Sequence, residues 1–273
     1  MVSTMATQEE KARQFLALHQ PGDPLLLPNP WDPGSAKILA TLSFGALATT
    51  SSGCAATLGR LDGQVSRDET LAHAAAIVAA TSLPVSADLE NGFAHDPEGV
   101  AETVTLAAAT GLAGCSIEDF TRDNADPIYE PELAIERVAA AASAAHDRGL
   151  VLTARCENHL HGRHDLDDTI ARLRAYADAG ADVLYAPGVT LLDEIRRIVS
   201  ETGRPVNVLA MTGAPSVSEL AEAGVSRVSI GGAFAFAAYG ALAEAAAEFR
   251  VSGTYEFQAL SSLGRATATR AFD

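Results

Sequence analysis

Residues 83–120 read LPVSADLENGFAHDPEGVAETVTLAAATGLAGCSIEDF. A short apolar run ending in acids, LPVSADLE (83–90), is followed by an amphipathic segment from Pro97 to Gly111 and then by a second apolar run, GCSIEDF (114–120). This is the signature of strand, helix, strand, with glycine taking the left-handed position that ends the helix. Strands joined through a helix run parallel, are covered on both faces and connect by right-handed crossovers. The same unit recurs outward in both directions. Apolar runs at LLLPNPW (25–31), ALATTSSG (46–53), LVLTARCE (150–157), DVLYAPG (182–188), RPVNVLA (204–210) and RVSIGGA (227–233) bring the total to eight. Helical segments between them end at Gly149, Gly180, Gly203 and Gly224. Eight such units predict an α/β fold, a (β/α)8 TIM barrel, as a single domain over 1–273. An open dinucleotide-binding sheet is the alternative, but the turn after the first strand reads NPWDPGSA, without the G-x-G-x-x-G it needs. Residues from about 240 to 273 exceed what an eighth helix requires. They form a C-terminal helical extension that packs either on a neighbouring subunit or on its own core.

Composition narrows the chemistry. Of 273 residues 48% are hydrophobic, and 35 acids against 19 bases give a formal charge of -16. Such a charge repels phosphate backbones and anionic headgroups, so no nucleic acid and no membrane partner is expected. Only Lys11 and Lys37 are lysines. Schiff-base and pyridoxal chemistry need a desolvated lysine, and Lys37 alone is left for it, at a helix start. Cys54, Cys115 and Cys156 are odd in number and lie in apolar runs, as reduced thiols do. The first twenty residues have no basic-then-apolar leader pattern, and no stretch is long enough to span a bilayer. A cytoplasmic location is expected.

In a barrel of this kind the active site forms at the C-terminal ends of the strands. Those positions are polar: Asn29 and Asp32, Ser51 to Gly53 with Asp62 beyond, Asp88 and Glu90, Glu118 and Asp119, Arg155 and Glu157, Asn207 and Thr212. Strand alternation places Asp88 with Glu90 on one face, and Arg155 with Glu157. Converging carboxylates repel unless a cation sits among them, and oxygen-only ligation suits Mg2+, with Mn2+ as the alternative. The competing explanation is a set of solvated acids or separate ion pairs; the strand-end placement favours the metal. Arg155 offers a planar fork for a substrate carboxylate or phosphonate, or else is fixed by Glu157 or Glu118. Cys156 points outward and packs; Cys54 is read as core before nucleophile. His159, His161 and His164 read as a gating loop in preference to a zinc site. Gly231-Gly232 fits either a phosphate cradle or a tight turn.

NPWDPGSA, SSG, D-x-E-N-G-F at 88–93, S-I-E-D at 116–119 and A-R-C-E at 154–157, in that order, resemble the isocitrate lyase and phosphoenolpyruvate mutase superfamily from about Leu25 to the C-terminal helices. The resemblance implies Mg2+, a small-molecule 2-oxo or 2-hydroxy acid, and a homo-tetramer, a dimer of dimers, with exchanged last helices. By position it implies Asp88 as direct metal ligand, with Asp62, Glu90 and Glu118 holding metal-bound waters. It further implies that the amides of Ser52, Gly53 and Cys54 grip a carboxylate, that Arg155 binds the other substrate end, and that Asn207 lies near it.

The lyases of that superfamily carry a K-R-C-G-H loop after strand four; here it is FTRDNADPIYEPE (120–132), without Cys, Lys or His. The mutase branch's histidine at the end of strand six is Pro187, and its loop lysine is absent although Arg122 and Asn124 are present. The expected function is a Mg2+-dependent lyase cleaving a carbon–carbon bond of a small 2-hydroxy or 2-oxo di- or tricarboxylic acid through a metal-stabilised enolate. Asp88 and Arg155 hold the substrate, and Glu118, Arg155 and Glu157 serve catalysis. Phosphonopyruvate mutase or hydrolase and oxaloacetate decarboxylase are the alternatives, and a non-catalytic 2-oxo acid binder is the alternative of another class.

Overall fold

The computed structural model describes residues 6–273. Its strands are β1 (Leu25–Leu27), β2 (Leu47–Ala48), β3 (Val85–Asp88), β4 (Gly114–Glu118), β5 (Val151–Arg155), β6 (Val183–Tyr185), β7 (Val206–Leu209) and β8 (Arg227–Ser229). The helices are α1 (Gln8–Ala17), α2 (Pro33–Ala40), α3 (Ser51–Thr57), α4 (Arg67–Ala79), α5 (Pro97–Ala108), α6 (Pro131–Asp147), α7 (Leu166–Asp178), α8 (Leu192–Thr202), α9 (Val217–Glu222), α10 (Ala233–Val251) and α11 (Gln258–Phe272). The sheet runs β1-β8-β7-β6-β5-β4-β3-β2, each neighbour parallel. It is the α/β barrel that the alternating runs foretell. At the seam, Ala48 N–H donates to the Pro28 carbonyl at 3.1 Å, and Asn29 Nδ2 donates to the Thr49 carbonyl at 2.9 Å. Asn29 Oδ1 accepts from the amides of Ile230 and Gly231 as well. One buried side chain thus joins β1 to both of its flanks.

Local chemistry sets the helix limits. Ser66 with Glu69 and Ser216 with Glu219 form reciprocal capping boxes, satisfying amides that have no partner in the first turn. Pro33, Pro97 and Pro131 occupy first-turn positions where no amide is needed. The five helix-ending glycines have φ between 67° and 108°, as a left-handed stop requires.

Two separate apolar layers result from strand alternation. Outward residues such as Ala87, Cys115, Ile117, Leu152, Ala154, Leu184 and Val208 pack under the helices. Inside the barrel, Leu25, Leu27, Ala46, Ala48, Ala113, Val151 and Val183 close the N-terminal end around Phe15 of α1. Gly114 makes room for this plug, since a Cβ there would lie 2.7 Å from the Val151 carbonyl and 3.0 Å from the Phe15 ring. Above the plug the interior turns polar, which is where the cavity lies.

α10 departs from the barrel: Ala235 is its one buried residue, and α11 buries none. α11 lies along α2, with Phe272 near the Lys37 ammonium. Among the described residues no helix is long and apolar enough to cross a membrane.

Candidate active site

A cavity of about 200 Å³ opens at the C-terminal ends of the strands. Asp88, the last residue of β3, faces into it; its Oδ1 accepts from the Glu90 amide at 3.1 Å and from Arg155 Nη1 at 3.1 Å. Its own amide donates to Thr49 Oγ1 at 2.9 Å, which ties β3 to β2. Asp62 lies across the mouth on an exposed loop and lines the same cavity. Desolvation and then the nearby Asp88 charge raise its carboxyl above the usual range.

Arg155 is gripped on three sides. Nε donates to Glu157 Oε1 at 2.9 Å, Nη2 lies 3.2 Å from Glu118 Oε2, and Nη1 meets Asp88. Burial opposes its charge, but Glu157, Glu118 and Asp88 outweigh burial and hold its pKa above the ordinary value. Of the two expected roles of this arginine the ion-paired one is present here, with Asp88 as a further partner beside Glu157 and Glu118. Glu118 and Glu157 are themselves raised by burial, Arg155 counteracting in each. Glu157 is also fixed from behind, where its amide donates to buried Asp119 at 2.8 Å.

Glu90 departs from the expected arrangement. The strand ends at Asp88, and Glu90 takes a left-handed turn with φ 50°, so the alternation that would align it with Asp88 stops two residues early. Its side chain pairs with Arg122 of the loop after β4, and Arg122 in turn lies 4.9 Å over the Phe93 ring. Desolvation is the main cause that pushes the Glu90 carboxyl up to about 7. The loop lacking Cys, Lys and His is thus latched to the end of β3.

The Ser51–Cys54 segment is not a strand end. It is the first turn of α3, capped by Thr50. Ser51 and Ser52 line the cavity, whereas the Gly53 amide is taken by Thr50 Oγ1 and the Cys54 amide by the Thr50 carbonyl. Cys54 packs with Ala55 and Val65, and burial pushes its thiol up to about 11, as a core residue. The 3-10 turn Asn158–His161 lays His161 against Phe120, ring centroids 4.1 Å apart, and directs Leu160 at the cavity. Gly231 gives its amide to Asn29 and, with Gly232, turns the chain from β8 into α10 along the cavity wall. Lys37 is exposed on α2, outside the cavity.

Asn207 lies where expected, facing the cavity, with Nδ2 donating to Ser229 Oγ at 2.9 Å. Tyr185 and Arg227 also line it, and neither was anticipated. Arg227 opens β8 on the same face as Ser229; a single arginine inside the apolar run RVSIGGA is the signal that pointed to Arg155 and applies equally here. Among the described residues no three His, Cys, Asp or Glu side chains converge as a ready metal cage. Of the acids here, Asp62 and Asp88 line the cavity, while Glu90, Glu118 and Glu157 lie buried behind them, near enough for their charges to act on Asp88 or one another, against the guanidiniums of Arg122 and Arg155.

The family model described as phosphoenolpyruvate phosphomutase matches residues 15–250. The chain belongs to that family. Three solved structures are similar to this phosphoenolpyruvate phosphomutase relative over most of its length. A Burkholderia cenocepacia J2315 protein with the provisional description lyase/mutase is 53% identical, with TM-score 0.93 and 97% and 96% of the two chains covered. A 2,3-dimethylmalate lyase of the phosphoenolpyruvate mutase/isocitrate lyase superfamily is 27% identical, with TM-score 0.81 and coverage of 93% and 90%. A phosphonopyruvate hydrolase in complex with oxalate and Mg2+ is 25% identical, with TM-score 0.80 and coverage of 92% and 89%. The protein is an enzyme of this lyase and mutase superfamily.

Proposed function

We propose that the protein is a Mg2+-dependent carbon–carbon lyase acting on a small 2-hydroxy or 2-oxo di- or tricarboxylic acid. The observation that carries this reading is the surplus of carboxylates at the C-terminal end of the barrel, Asp62 and Asp88 in the cavity and Glu90 and Glu118 behind them, several of them raised by desolvation, which a divalent cation would relieve. The residues fit such an ion: Asp88 faces the cavity, its donor set is oxygen alone, and Asp62, Glu90 and Glu118, each acted on by the Asp88 charge, would hold ion-bound waters rather than form a closed cage. When bound, Mg2+ supplies Lewis-acid stabilisation of the negative charge that develops when the bond breaks.

The chain's own groups prepare the rest. Ser51 and Arg155 fix the Asp88 carboxylate in its orientation. Arg155 holds Glu118 and Glu157 side by side, and these are the acid and base candidates. Ser52 and Asn207 line the space left for the acid, and Leu160 with the 3-10 turn shields it from water. The hydrolase solved with oxalate and Mg2+ supports both the ion and the acid.

The same reading includes a cytoplasmic homo-tetramer. Three free cysteines suit a reducing compartment. Phe236, Leu242 and Phe249 of α10 are more than half exposed, and outward-facing Leu26 of β1 is 42% exposed. An exchanged helix pair would bury both surfaces.

A panel of isocitrate, 2-methylisocitrate, oxaloacetate and phosphonopyruvate, assayed with Mg2+, tests the function. Carbon–carbon cleavage of one of the first three is expected. Turnover of phosphonopyruvate alone would transfer the reading to phosphorus–carbon chemistry, and turnover of none would overturn it.

A further inference from the structure

Arg227 is the exception among the site's cations. It is 4% exposed, lines the floor of the cavity below Asp88, and has only neutral hydrogen-bond partners: Nη1 reaches Thr153 Oγ1 at 3.1 Å and His19 Nε2 at 3.3 Å. His19 Nδ1 lies 2.8 Å from the Phe15 carbonyl, which fixes the proton on Nδ1 and leaves Nε2 as the acceptor. Arg227 Nε is buried with no partner, and so is Asn207 Oδ1 in the facing position of β7. No carboxylate is among the groups that act on Arg227; Tyr185 and Arg155 are. A guanidinium deprived of water and of an acid is costly, and at the mouth Arg155 has three acids while Arg227 has none.

We infer that Arg227 is the group that binds the distal oxyanion of the substrate, carboxylate or phosphonate, with Asn207 beside it accepting a substrate hydroxyl or bound water. The inference deepens the reading of the site as one for 2-oxo and 2-hydroxy acids, and rests on it. Its consequence is an assignment of labour within the cavity. Arg155 organises the acids at the mouth, and Arg227 selects substrates that carry a second negative charge at the far end. Monoacids of equal length leave the floor cation bare and bind less well.

The test is calorimetric, in the presence of Mg2+, with acids matched in length but not in distal charge: 2-oxoglutarate against 2-oxopentanoate, oxaloacetate against 2-oxobutyrate, and phosphonopyruvate. The wild type is expected to prefer the doubly anionic member of at least one pair by tenfold or more, the preferred probe distinguishing carboxylate from phosphonate. Arg227→Met is expected to lose that preference while keeping its affinity for the monoacid. Arg227→Lys, which keeps charge but not the fork, should retain part of it, and serves if the methionine variant fails to fold. Monoacids that bind with no preference for the dianions, or a preference unchanged in both variants, would overturn the role of Arg227 and leave the 2-oxo acid reading intact. Failure of every 2-oxo acid to bind the wild type would overturn both.

Discussion

At the scale of single residues the site is a problem of buried charge. Removing Arg155 leaves Asp88, Glu118 and Glu157 facing one another without their shared cation. Breaking a buried ion pair from one side costs about 3–5 kcal/mol. Arg155→Met is accordingly expected to lower the unfolding free energy measured in urea by that order and to abolish turnover, and wild-type stability in this variant would show that the acids are satisfied elsewhere. Asn29 presents a different case, with three hydrogen bonds and no charge. Asn29→Ala leaves the Ile230 and Gly231 amides and the Thr49 carbonyl to find other partners, at about 1–3 kcal/mol. Thermal melting measures it, and a loss below a few tenths would mean that water closes the seam. Sequence pattern located most of these side chains. Asp88, Arg155 and Asn207 face the cavity because they fall at the inward phase of their strands. Period-two alternation does not carry through to Glu90, because the strand stops at Asp88 and nothing in L-E-N-G-F announces that Glu90 is left-handed as well as Gly92.

Among the elements, α1 and the C-terminal pair contrast most. α1 inserts Phe15, fully buried, against Gly114 and the inner faces of β1 and β5. Truncating a buried phenylalanine costs about 3–5 kcal/mol, so Phe15→Ala is expected to destabilise the whole barrel, as chemical denaturation would report. An unaffected transition would show that the plug contributes little. α10 and α11 bury almost nothing in their own chain. If they pack on another subunit, Phe236→Ser with Leu242→Ser should lower the mass measured by light scattering toward the monomer; an unchanged mass would contradict the exchange. Glycine stops and capping boxes made the barrel helices legible from sequence. The Ser51–Cys54 turn was not, because ALATTSSG reads as one apolar run, whereas β2 stops at Ala48 and Thr50 caps a helix.

For the molecule as a whole, the buried floor sets a pH dependence. Burial is the main cause holding the His19 pKa down to about 3, Arg227 adding to it, whereas the unfolded chain titrates near the ordinary 6.5. Between those values the unfolded state binds one more proton, so this contribution is complete above 6.5 and is lost as pH falls toward 3, at up to about 1.4 kcal/mol per pH unit. His19→Gln should flatten the acid limb of stability against pH by about one proton; an unaltered slope would remove His19 from the account. The net charge of -16 speaks only to partners the protein is expected to avoid, because a sum of charges carries no positions. Once the fold gathers five acids at one end of the barrel and leaves an arginine without an acid below them, the same charges acquire positions, and it is those positions on which the proposed cation and dianion rest. The most direct measurement is the rate on the best acid of the panel after chelation and with Mg2+ restored, in the wild type and in Asp88→Ala. The account expects the chelated wild type to be inactive and to recover with Mg2+, and the folded variant to stay inactive at every Mg2+ concentration. A rate that survives chelation, or a variant that responds to Mg2+ as the wild type does, would contradict it.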